Sequence, residues 1–118
     1  MKKLTSIVLL LLLMISCQKT GEDPFAAFTY VASHIPQNHA LDLCAGGYMT
    51  IYEGSPTVDP PNTSWVWTFK NGTPSSYNGQ HPPDIYYNNV GKGDITLTVT
   101  NDVGSDVCTM SFNVMACN

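Results

Sequence analysis

The chain has 118 residues, with nine acidic side chains against five basic ones and a formal net charge of −4. None of the basic residues is arginine, which argues against nucleic acid, whose phosphates lysine and arginine must neutralise. The length is close to that of one domain, and no internal repeat points to a solenoid or propeller.

Lys2 and Lys3 open the chain, an apolar run follows from Ile7 to Ile15, and Ser16-Cys17 closes it. This is the basic, apolar and small-residue order of a secretory signal, and the run is shorter than the roughly 20 residues of a membrane-spanning helix. Met14-Ile15-Ser16-Cys17 resembles the lipobox of bacterial lipoproteins. The resemblance implies that residues 1–16 are removed and that Cys17 carries a diacyl lipid as the first mature residue. It places the protein in the bacterial cell envelope, anchored by lipid at the outer membrane, with the periplasmic or surface side left open. Gln18 to Pro24 is polar and broken by Gly21 and Pro24, so 17–24 reads as a lipidated tether. Loss of Lys2 and Lys3 leaves three lysines against nine acids, a side-chain charge of −6, unsuited to a second, electrostatic membrane contact.

From residue 25 to 118 no long window has helical periodicity, whereas short windows alternate. Trp65, Trp67 and Phe69 alternate with Val66 and Thr68; Ile95, Leu97 and Val99 with Thr96, Thr98 and Thr100; Cys108, Met110, Phe112 and Val114 with Thr109, Ser111 and Asn113. Period two with β-branched and aromatic residues predicts half-buried strands. Phe28–Val31, Tyr48–Tyr52 and Asp84–Tyr87 are weaker strands. Residues 56–64, Asn71-Gly72-Thr73-Pro74, Gly91-Lys92-Gly93 and Asn101–Gly104 read as turns. The fold class is all-β, an antiparallel sandwich or barrel. In this register Trp67, Phe69, Leu97, Val99, Met110, Phe112 and Val114 face the core, and Thr96, Thr98, Ser111 and Asn113 face water.

The run from Ile95 through Asn101-Asp102-Val103-Gly104 to Asp106 is very similar to the signature strand and turn of PKD domains, an immunoglobulin-like β-sandwich family. Trp67-Thr68-Phe69 before Asn71-Gly72, and Pro83-Asp84-Ile85-Tyr86-Tyr87 before Gly91, resemble two further family motifs in the family's order. Two departures stand out. Lys70-Asn71-Gly72 replaces the usual Gly-Asp-Gly, and Gly93 replaces a usual aromatic, leaving a corner for which Tyr86 is the candidate cover.

With Cys17 assigned to lipid, Cys44, Cys108 and Cys117 remain, in a compartment where disulfides persist. Three is odd, so one thiol is left over or pairs outside the chain. In the sandwich that the resemblance implies, the first and last strands run side by side and the second runs opposite to both. That arrangement sets Cys44, at the start of the second strand, beside Cys117, past the end of the last, and implies a Cys44–Cys117 bridge. Cys108 then reads as a small core residue.

No catalytic residues emerge. His34, His39 and Asp42 lack ligand spacing, no Gly-x-Ser-x-Gly elbow occurs, the acids are scattered singly, and no Cys/His pattern supports a metal. Asn101, Asp102 and Asp106 flank one turn, where these residue types favour turn geometry over calcium. No cofactor is expected. The aromatics are the candidates for binding: Trp65, half covered near its strand's start, and Tyr77 and Tyr86, both expected to be exposed. Trp67 is assigned to packing. The reading is a non-catalytic envelope lipoprotein, held to the membrane through the lipid on Cys17. Its single PKD-like domain acts as an interaction module for a protein or polysaccharide partner; the alternative is a structural spacer without its own ligand.

Overall fold

The computed structural model describes residues 24, 26–37, 42–54 and 62–117. Cys17, the signal segment and His39 lie outside the described residues, and of the expected tether only Pro24, which is buried, is described. In chain order the strands are β1 (Phe28–Ala32), β2 (Leu43–Cys44), β3 (Gly47–Glu53), β4 (Ser64–Lys70), β5 (Ser76–Asn78), β6 (Ile85–Tyr87), β7 (Gly91–Thr100) and β8 (Ser105–Met115). No helix occurs among the described residues.

The strands form two sheets, β1-β3-β6 and β2-β8-β7-β4-β5. Every pairing is antiparallel except that of β2 with β8. The strict alternation in β7 and β8 sets their register. Leu97 lies opposite Cys108, and Gly93 opposite Phe112, so that Ile95, Leu97, Val99, Cys108, Phe112 and Val114 all face inward and are buried. Slippage by one residue would turn the whole set to water.

The core closes with Phe28, Tyr30, Met49, Ile51, Ile85 and Tyr87 from the smaller sheet. Trp67 is fully buried at its centre, edge-on to Phe28 at 5.5 Å and stacked on Phe69 at 6.1 Å. Its Nε1 donates to the Gly79 carbonyl at 2.9 Å, so the indole enters the core without an orphaned donor. Met110 is only partly buried, a weaker inward position than its alternation predicts.

Three local expectations are corrected. Gly91-Lys92-Gly93 is no turn but the start of β7, because Lys92 and Gly93 pair with Asn113 and Phe112. Tyr77 is not an exposed loop residue: it lies in β5 opposite Trp67 and is half-buried against the core. The corner left by Gly93 is filled by Phe112, not Tyr86. A Cβ on Gly93 would lie 2.6 Å from Phe112 Cζ, and Tyr87 meets the Phe112 ring edge-on at 4.9 Å. At the altered turn, Asn71 takes a left-handed φ of 69°, which asparagine tolerates. Gly72 is required there, since a Cβ would reach 2.7 Å from Ile85 Cγ2.

Cys44 and Cys117 are joined, with Cα atoms 5.5 Å apart. The reason differs from the expected one: Cys44 belongs to a separate short strand, β2, running parallel to β8 with Leu43 beside Val114. Cys108 is buried, and no described cysteine is free, so Cys108 is not a leftover thiol.

Candidate functional site

The three candidate aromatics do not converge. Trp65 and Tyr77 sit on the inner face of the larger sheet, both half-buried against the core. The buried Trp65 Nε1 has no hydrogen-bond partner. Tyr86 lies on the opposite side of the molecule, 45% exposed on the outer face of the smaller sheet.

Around Tyr86 the smaller sheet builds a patch from residues that sequence reading did not single out. Alternation in β3 turns Met49 and Ile51 inward and therefore Tyr48, Thr50 and Tyr52 outward. Alternation in β1 sends Thr29 and Val31 the same way. Register then arranges them in three rows: Tyr48 beside Tyr86, Val31 beside Thr50, and Thr29 beside Tyr52. The Tyr48 and Tyr86 rings are 5.3 Å apart and tilted by 47°, a favourable aromatic pair. Between the tyrosine rows, Thr50 Oγ1 donates to Asp84 Oδ1 at 2.8 Å. Tyr52 is 53% and Val31 49% exposed, so each presents about half of its surface to water. The signal was legible in Tyr48-Thr50-Tyr52, whose parity is opposite to that of Met49 and Ile51.

The outer face of the larger sheet has another character. It carries rows of threonine and serine, with Val66 and Val107 flanking Thr98. Thr96 and Thr109 share a hydroxyl hydrogen bond at 3.1 Å. It has no aromatic residue in these rows.

The remaining polar candidates are engaged in turn and strand geometry. Asn101 Oδ1 accepts from the amides of Val103 and Gly104, Asp106 accepts from the Ala26 amide, and Asp102 accepts from the Asn62 side chain. Asp42 accepts from the Asn113 amide at 3.0 Å. His34 is exposed with Nδ1 2.9 Å from the Ser33 hydroxyl, and His81 is exposed. Among the described residues no three histidine, cysteine or acidic side chains are grouped to hold a metal ion.

Two sheets packed over a central tryptophan, with the last strand paired in parallel to a short early one, define an immunoglobulin-like β-sandwich. The chain matches the PKD domain family over residues 27–114, and it belongs to that family. No curated protein and no solved structure matches it. PKD domains are general extracellular interaction modules and are generally non-catalytic.

Proposed function

We propose that this protein is a lipid-anchored, non-catalytic component of the bacterial envelope whose PKD domain meets a protein or glycan partner through the tyrosine face of its smaller sheet. The observation that carries the reading is the unequal treatment of the two outer faces. Tyr48, Tyr52, Tyr86 and Val31 gather on one, while threonine and serine cover most of the other. Solvent-facing aromatics grouped on one sheet cost solubility without adding to the core, and such patches mark contact surfaces. The anchor rests on the lipobox-like Met14–Cys17 alone; two acyl chains are what stable membrane attachment requires.

Binding by the full chain is tested on a glycan array and by pull-down from envelope fractions, beside a Tyr52→Ser/Tyr86→Ser variant and a Thr109→Ala control. The proposal expects retention that the tyrosine variant loses and the control keeps. A wild-type chain that retains nothing in either format makes the domain a spacer. For the anchor, Cys17→Ser is expected to leave the membrane fraction or stay unprocessed. A processed, membrane-bound variant overturns it, as does finding the Cys17 sulfur in a disulfide, since one sulfur cannot hold both bonds.

A further inference from the structure

We infer that the tyrosine face takes an uncharged, linear polysaccharide lying along β3, an assignment that rests on the interaction-module reading above. Length comes first. Tyr48 and Tyr52 are four residues apart on one strand, about 13 Å at the usual rise. With Tyr86 packed beside Tyr48, the face has an aromatic pair at one end and a single ring at the other. A short run of linked pyranose rings spans that distance, and the apolar face of a sugar ring packs on an aromatic ring as another flat apolar body would.

Chemistry between the rings is of the matching kind. Thr50 and the exposed Asp84 carboxylate sit midway, placing an acceptor and a hydroxyl where sugar hydroxyls would lie. Val31 beside Thr50 adds an apolar floor. Charge narrows the class further. Asp84 is the charged group in this arrangement, no arginine exists in the chain, and acids outnumber lysines and arginines nine to five. An anionic polymer would meet repulsion with no bidentate guanidinium to hold its carboxylates or sulfates.

Area argues against the competing occupants. Tyr52, Tyr86 and Val31 are each about half exposed, so with 150–250 Å² per fully buried aromatic they offer roughly 300 Å². A stable dimer or a standard protein complex needs about 800 Å² from each partner. The apolar part of the face is thus small for a second copy of the chain and of a size to take a few sugar units.

The test is affinity electrophoresis of the full-length, detergent-solubilised chain through gels holding hydroxyethylcellulose, xylan, soluble starch or dextran, with alginate as the anionic comparison. Retardation is expected in at least one neutral polymer and not in alginate. Tyr52→Ala and Tyr86→Ala should each weaken it by about tenfold. Asp84→Asn should weaken it less, and Val107→Ala on the opposite face should leave it unchanged. Equal circular dichroism and thermal unfolding of the variants separate lost contact from lost fold. Retardation by alginate alone, or retardation indifferent to both tyrosines, overturns the inference. If no neutral polymer binds but a purified envelope protein binds in a Tyr52- and Tyr86-dependent way, the glycan assignment falls and the interaction-module reading stands. If neither binds, both fall.

Discussion

At Gly93 the absence of a side chain is what lets Phe112 lie flat across the neighbouring strand. A Cβ there would lie 2.6 and 2.8 Å from two Phe112 ring atoms, and the ring cannot swing away because Tyr87 holds its edge at 4.9 Å. Gly93→Ala is therefore expected to overpack this corner at a cost of about 1–3 kcal/mol, read as a lowered denaturant midpoint. Combining it with Phe112→Leu should cost less than the two single changes added together, because each relieves what the other imposes. A Gly93→Ala protein as stable as the parent would show that the corner has slack. Trp67 presents the opposite situation, a large side chain with none of its surface left in water. Trp67→Ala should cost about 3–5 kcal/mol, and more of the loss than for a phenylalanine is expected to come from the Gly79 carbonyl left without its donor.

Among the elements, β2 is the one whose existence depends most on a covalent bond. Two residues of parallel pairing hold it to β8, helped by the amides of Cys44 and Ala45 donating to the carbonyls of His34 and Met115. The bridge closes a loop with a sequence separation of 73, for which chain entropy gives up to about 4 kcal/mol. Cys44→Ser/Cys117→Ser should lower global stability by up to that amount and speed hydrogen exchange first at the Ala45 amide. Exchange unchanged at Ala45 would mean that pairing alone holds β2. How far such elements were readable follows from their length. β4, β7 and β8 announce themselves through long alternation, and the core they form was legible residue by residue. β2 and β5, two and three residues long, are too short to have a period. The glycines at 91 and 93 mimic a turn because their strand partners lie some twenty residues away. Tyr86 was legible from parity, but its grouping with Tyr48 and Tyr52 depends on β3 pairing with β6, which no local pattern carries.

Over the whole molecule, two buried phenols make the fold sensitive to alkali. The hydroxyls of Tyr30 and Tyr87 are buried without hydrogen-bond partners. Burial first, and then the negative charge of Asp42 near Tyr30 and of Asp94 near Tyr87, push both above the usual tyrosine value of 10.0. The folded chain thus keeps these two protons after the unfolded chain has released them. Stability is full below pH 10 and falls as pH rises past it, by up to about 2.7 kcal/mol per pH unit while both differ. Tyrosinate absorbance should then appear in two parts: a gradual one from the more accessible tyrosines, and a steep one that coincides with loss of the folded circular dichroism signal. A single gradual titration with the fold intact would contradict this.

The bridge between β2 and β8 also decides how the domain bears a pull. Tension applied between the residues before Cys44 and any attachment beyond Cys117 passes from one sulfur to the other. The intervening strands β3 to β8, which hold Tyr48, Tyr52, Tyr86 and Trp67, lie in a loop off the line of force, whereas β1 lies ahead of it. Under load the oxidised domain should give up chain ahead of Cys44, β1 with Val31 included, while β3 and β6 keep the Tyr48–Tyr86 pair together. Loss of this bridge would put the separation of 73 residues back into the load path and release about 250 Å of hidden length, a difference that single-molecule stretching of the parent chain beside the Cys44→Ser/Cys117→Ser variant would read directly.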